Sequence, residues 1–223
     1  MVIVLLLAFC FLLPAPSHGA ISFIAGYTAA TTTVSITSPN TGDIIIVAAS
    51  GTSLPSLAAG YTTITSGGSA QSLPWRLGYK VANGTETDAG TWANATDLEV
   101  AVYRGQNSGT PIGTNTAPLD GASTTLTYNA LSLTVTTGTS WVIAYGSSSA
   151  NPINSGIPAP LVIRAQRAAA YTNTRLLSDS NGGLTAWSSH PQTISYDGWT
   201  TCVIELLAPA AAGPPANQYP RAR

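Results

Sequence analysis

Acid chemistry in this chain of 223 residues would have to come from nine Asp and Glu side chains, and one pair of them is spaced to act together on an expected strand. Asp97 and Glu99 stand two apart in DLEVAVYRG. Successive strand side chains point to opposite faces, so this spacing places both carboxylates on one face. Such a pair could hold a cation, or divide acid and base roles in glycoside hydrolysis. The same alternation sends Leu98, Val100 and Val102 to the core and Asp97, Glu99, Ala101 and Tyr103 outward, so the expectation is a solvated face. No third oxygen-rich partner has metal-ligand spacing nearby. The stretch SDSNGG at 178–183 lacks the oxygen spacing and closing glutamate of a calcium loop and reads as a hairpin turn.

Nucleophilic chemistry is no better supplied. The two histidines are His18, in an apolar leader, and His190, beside Pro191 in an expected loop. A Ser-His-Asp triad would have to be built on His190. G-x-S-x-G, P-loop and G-x-G-x-x-G signatures are absent from the sequence, and the usual zinc set of three or four ligands cannot be assembled. Cys10 lies in the leader and Cys202 in the last expected strand, so removing the leader leaves no internal disulfide and makes Cys202 a small buried apolar residue. The expectation is a non-enzymatic protein without cofactor or metal. A net charge of −1, with eight scattered Lys and Arg, argues against nucleic-acid binding.

Aromatic residues are the remaining lead, with five tryptophans against three phenylalanines. Trp141 and Trp199 open strands and read as packing. Trp92 (GTWANAT) and Trp187 (LTAWSSH) sit among hydroxyl and amide side chains. Two readings apply to each. An exposed indole beside Asn, Ser and Thr can stack on the C–H face of a sugar while its neighbours bond the hydroxyls. Alternatively, each tryptophan caps the core at a strand end. On the first reading the candidate surface contacts are Trp92, Asn94, Trp187 and His190. The sequons Asn83-Gly-Thr85 and Asn94-Ala-Thr96 are expected by chance in a chain so rich in Ser and Thr.

The elements that must position these residues are strands. Charged residues make up 8% of the chain, against roughly 25% in ordinary globular proteins, and Thr, Ser, Ala, Gly and Asn take their place. That composition suits β-structure with uncharged polar faces and disfavours long helices. Val2 to Leu13 is a continuous apolar run followed by PAPSHGA. It is shorter than the ~20 residues a bilayer span needs and matches a signal peptide cut before Ala20, or else an apolar segment retained for assembly. Strands are expected at ISFIA, TTTVSIT, Asp43–Ala49, Tyr61–Thr65, Trp75–Ala82, Asp97–Arg104, Thr124–Tyr128, Leu131–Thr136, Ser140–Gly146, Pro160–Ala165 and Trp199–Leu207. Asp43–Ala49 is apolar on both faces, as in a central strand covered on each side. Polar loops are expected at Gln106–Ser123, Ser147–Ala159 and Ala168–Asp197, and a Pro/Ala-rich tail over 209–223. About ten strands at this spacing make an antiparallel two-sheet β-sandwich, jelly-roll-like, over residues 20–208.

The order GDIIIVAAS, LAAGYTTITSGGS, WRLGYKVANG, GTW, VAVYRG and CVIELLAP resembles that of a group of bacteriophage and prophage virion proteins. In those, a GDLLVA strand is followed by PAGWT, AYKVA, TYTW, AYRG and a closing A-L-x-P strand. The matching segments here are Gly42–Ala48, Ala59–Thr62, Gly78–Ala82, Thr91–Trp92, Val102–Gly105 and Glu205–Pro209. The resemblance implies a β-sandwich module of a tail fibre, tail tip or capsid decoration, located in the virion. It further implies homo-oligomers such as trimers, contacts with other virion proteins and no catalytic residues. Such a module would present loops to a host surface glycan. The alternative reading is a secreted or cell-surface carbohydrate-binding module.

Overall fold

A computed structural model describes residues 20–37, 39–68, 74–149, 153, 156–169 and 172–209. The expected leader and all of the expected tail except Pro209 lie outside the described residues. Within them the fold is all-β, with eleven strands and no helix. The strands are β1 (Ser22–Ala29), β2 (Ile44–Ser50), β3 (Thr62–Gly67), β4 (Trp75–Val81), β5 (Asp97–Arg104), β6 (Ile112–Asn115), β7 (Leu119–Tyr128), β8 (Trp141–Ser148), β9 (Val162–Ala169), β10 (Thr172–Asp179) and β11 (His190–Leu206). The first five form one antiparallel sheet in the order β1-β5-β2-β4-β3. The last six form the other, in the order β6-β11-β8-β10-β9, with β7 also paired to β11. The expected two-sheet sandwich is the observed architecture. The strand order adds no support for a jelly-roll wrapping, since the chain completes one sheet before it enters the next.

Alternation along the central strands explains three cores instead of one. Ile44, Ile46 and Ala48 of β2, with Trp75 and Leu77 of β4, face the second sheet, where they meet Ile143, Tyr145, Leu177, Cys202 and Ile204. Their neighbours Ile45, Val47 and Ala49 face the opposite way and are buried just as fully, beneath Val34, Ile36, Ala58, Tyr61 and Trp92. The outer face of the second sheet is covered likewise: Val142, Ala144, Leu176 and Val203 lie under Leu131, Ile153, Leu161 and Trp187. The molecule is therefore layered loop, sheet, sheet, loop, and the doubly apolar β2 follows from that layering.

Covering loops account for two segments that were expected to be strands. TTTVSIT lies across the first sheet as a loop, joined by one bridge between Ser35 and Asp88. Leu131–Thr136 lies across the second, with one bridge from Leu131 to Trp187. The Glu205 carboxylate pins the latter loop by accepting the N–H groups of Thr134 (2.8 Å) and Val135 (3.0 Å). Alternating apolar side chains bury as well under a loop laid on a sheet as in a strand, so the pattern alone does not separate the two cases.

Conversely, β6, the start of β7, β10 and the first half of β11 arise where polar loops were expected. β11 is a central strand of 17 residues, with β8 on one side and β7 then β6 on the other. Gly121 of β7 leaves room for the Trp199 ring, which a Cβ there would approach to 2.4 Å.

The edges of the sandwich close in pairs, β1 against β9 and β3 against β6. At the first of these the backbones nearly touch, and a Cβ placed on Gly26 would fall 1.9 Å from the Arg164 carbonyl oxygen. Gly26→Ala is therefore expected to destabilise the protein by about 1–3 kcal/mol, the usual cost of overpacking. Urea unfolding would show it as a lower midpoint at unchanged slope; an unchanged midpoint would mean that the two edges do not meet.

Candidate functional site

Asp97 and Glu99 do not lie on a wet face, and that expectation is corrected. Both point into the space between the sheets, as do Ala101 and Tyr103, while Leu98 and Val100 face the buried outer side. The alternation was read correctly, but both faces of β5 are covered. Asp97 bridges two arginines of the opposite sheet: Arg167 Nε of β9 at 2.6 Å and Arg175 Nη1 of β10 at 2.8 Å. Arg175 is 2% exposed, and its Nε and Nη2 have no hydrogen-bond partner among the described residues. Glu99, fully buried beside them, has none for either carboxylate oxygen. Burial pushes its carboxyl up to about 8, helped by the Asp97 charge and opposed by Arg175 and Arg167. Tyr145 and Ser50 complete this polar layer, and Trp75 Nε1 crosses the sheets to donate to Thr200 Oγ1 at 3.1 Å. Asp97 thus joins the two sheets, with Glu99 buried beside the bridge.

The second oxygen-rich stretch is also committed. Asp179 Oδ2 accepts from Arg164 Nε at 2.8 Å and its Oδ1 from the Asn181 N–H, closing the expected turn. Among the described residues no three His, Cys, Asp or Glu side chains gather as metal ligands. Cys202 is buried, as its apolar setting implied.

The four candidate contacts are not brought together. Trp92 is completely buried under the covering loops of the first sheet, its Nε1 donating to the Ala89 carbonyl at 3.0 Å. Trp187 is buried on the outer face of the second sheet, its Nε1 donating to the Asn129 carbonyl at 2.9 Å. Both are core caps on opposite sides of the sandwich, so the reading of exposed indoles is corrected in favour of packing. Asn94 is exposed in a turn at φ 67°. His190 opens β11, where a loop was expected, and packs on Trp187 with the rings tilted by 46° and 4.3 Å between centroids.

A surface hollow of about 320 Å³ stands out instead, formed where the 83–90 loop meets Ala59, Tyr61 and Lys80. Glu86 is fixed there by the N–H groups of Asn83 (3.0 Å) and Gly84 (3.1 Å) and by Lys80 Nζ at 2.9 Å. Burial alone would push its carboxyl up, but these donors outweigh it and bring the value to about 2. Asp88 Oδ1 accepts the Gly90 N–H at 2.8 Å, and Gly90 holds φ +77° with its missing Cβ 2.9 Å from Ala58. The Tyr61 ring meets Trp92 edge-on at 5.1 Å, and its buried hydroxyl has no hydrogen-bond partner among the described residues. Sequence reasoning missed this site, although N-G-T-E-T-D at 83–88 carries the sign of it: a turn with two carboxylates two residues apart.

The fold and these sites define an antiparallel β-sandwich with clad outer faces. No protein-family model, no curated protein and no solved structure matches the chain.

Proposed function

We propose that this protein is a non-enzymatic structural and adhesive module at the exterior of a phage particle, in a tail fibre, tail tip or capsid decoration, presenting loops to the host surface. The observation that carries the reading is the layering. Both outer sheet faces are buried under loops, so the broad faces the molecule offers to others are loops poor in charge and rich in Ser, Thr and Asn on a rigid scaffold. Four of the six segments behind the virion-protein resemblance fall on that scaffold: Gly42–Ala48 leads into β2, and Gly78–Ala82, Val102–Gly105 and Glu205–Pro209 end β4, β5 and β11. Of the carboxylates Asp97 and Glu99, which an enzymatic reading would pair, Asp97 is engaged by Arg167 and Arg175 and Glu99 is fully buried. A second reading, a secreted carbohydrate-binding module, is favoured by the polar hollow at Lys80, Glu86 and Asp88.

Mass spectrometry of sedimented particles and cleared supernatant separates the two. The expected result is protein in the particle fraction at fixed stoichiometry, as a symmetric homo-oligomer. Protein found only free in the supernatant would overturn the virion reading and leave the secreted one.

A further inference from the structure

We propose that the hollow formed by Tyr61, Lys80, Glu86, Thr87 and Asp88 binds a non-acidic sugar unit. The inference rests on the adhesive reading only for the source of the sugar, a host surface glycan; the site itself is argued from its geometry. A volume of about 320 Å³ lies at the lower end of ligand-pocket sizes, roughly 300–1,000 Å³, and suits a small ring. The hollow is built before any ligand arrives. Thr87 O accepts from Ile36 N at 3.0 Å, Ala89 N donates to Val34 O at 2.9 Å, and Trp92 N donates to Thr32 O at 2.7 Å, so the 83–90 loop is stitched to the covering layer. Glu86 is held from three sides, and holding a recognition group in place lowers the cost of binding.

The groups left to a ligand are of mixed polarity. Asp88 has one carboxylate oxygen engaged by Gly90 and is exposed, as is Thr87. Lys80 offers its remaining ammonium protons. Tyr61, more than nine-tenths buried with its hydroxyl beneath the surface, forms part of the wall. Acceptors and donors around one hollow match vicinal hydroxyls, each of which both donates and accepts. The formal charge of Lys80, Glu86 and Asp88 together is −1, from one cation and two anions, which disfavours uronates, sialic acids and phosphates. No third carboxylate, His or Cys joins Glu86 and Asp88 among the described residues, which leaves a hard cation short of ligands.

Ligand-observed NMR on the full chain would compare methyl hexopyranosides with their uronate counterparts and with an alkylamine lacking hydroxyls. The hexosides are expected to bind, and Asp88→Ala to weaken them by about tenfold or more, as for a lost hydrogen bond to a charged group. Tyr196→Ser, on an exposed bulge of β11 in the other sheet, should change nothing. Absence of hexoside binding, tighter uronate binding, an alkylamine that binds as well, or affinity indifferent to Asp88→Ala would each overturn the proposal. Sugar binding by a protein absent from particles would leave this site standing and sink the virion reading; particle-bound protein blind to sugars would do the reverse.

Discussion

Asp97→Asn is expected to cost about 3–5 kcal/mol of stability, the range for breaking one side of a buried ion pair. Arg175 owes its only ion pair among the described residues to Asp97, at 2.8 Å, and is 2% exposed, so the lost charge cannot be replaced by water. Arg167 suffers less, because 26% of its side chain already reaches solvent. For a chain of this size the loss corresponds to a fall of roughly 6–20 °C in Tm. The double variant Asp97→Asn, Arg175→Met should recover much of it, since an apolar side chain of similar length needs no counter-charge. Thermal unfolding of the four members of this cycle measures the coupling. A single-variant loss below about 1 kcal/mol would mean that the bridge is ornamental.

Glu99→Gln is expected to act in the opposite direction, and only above mildly acidic pH. The ordinary value of the Glu99 carboxyl is 4.5 and its folded value about 8, so between these the folded chain holds a proton that the unfolded chain has lost. Stability therefore falls as pH rises from about 4.5 to about 8 and is level beyond. At about 1.4 kcal/mol per unit the full effect is several kcal/mol. Glutamine keeps the shape without the charge, so it should match the parent near pH 5 and exceed it near pH 9, there by roughly 5–15 °C in Tm. Glu86 and Glu205 titrate the other way. Backbone N–H groups hold both carboxyls down against their burial, with Lys80 assisting at Glu86, and the stability they contribute is lost only as pH falls below the ordinary carboxylate range. The two windows do not overlap. Parallel Tm–pH curves for parent and Glu99→Gln would overturn the assignment. Asp97→Asn should also flatten the parental slope, because it removes the negative neighbour that holds Glu99 neutral against Arg175.

Much of this arrangement was legible in the chain. The alternation of β4 and β5, the doubly apolar β2 and the buried setting of Cys202 all follow from residue order. Side-chain alternation could not say which covered face of β5 was which, because it assumes that one face is wet. Nor could it find β10, whose inward residues Arg175 and Asp179 read as loop until their partners on the facing elements are in place. Trp92 and Trp187 misled for a related reason: their hydroxyl-rich neighbours mark the loops that roof the sheets, and the indoles hang inward from them. The hollow depends on Lys80 of β4 meeting Glu86 across a turn, a contact that spacing suggests but does not require.

The order of the sheets along the chain also bears on how the protein is made. The five-stranded sheet has all its strands by Arg104, so it can assemble while the rest is still on the ribosome. The second sheet cannot. Its organising strand, β11, is the last of the eleven to be synthesised, and β6, β7 and β8 all await it, β7 and β6 with no other strand partner among the described residues. Until β11 emerges, the inner surface bearing Ile44, Ile46 and Trp75 lacks the part of its roof that Cys202, Ile204 and Leu206 supply. These long-range pairings make the final step slow relative to local folding. A nascent chain is thus most prone to self-association in the interval between Arg104 and Leu206, when a neighbour on the same message offers the strand that its own sequence has yet to supply.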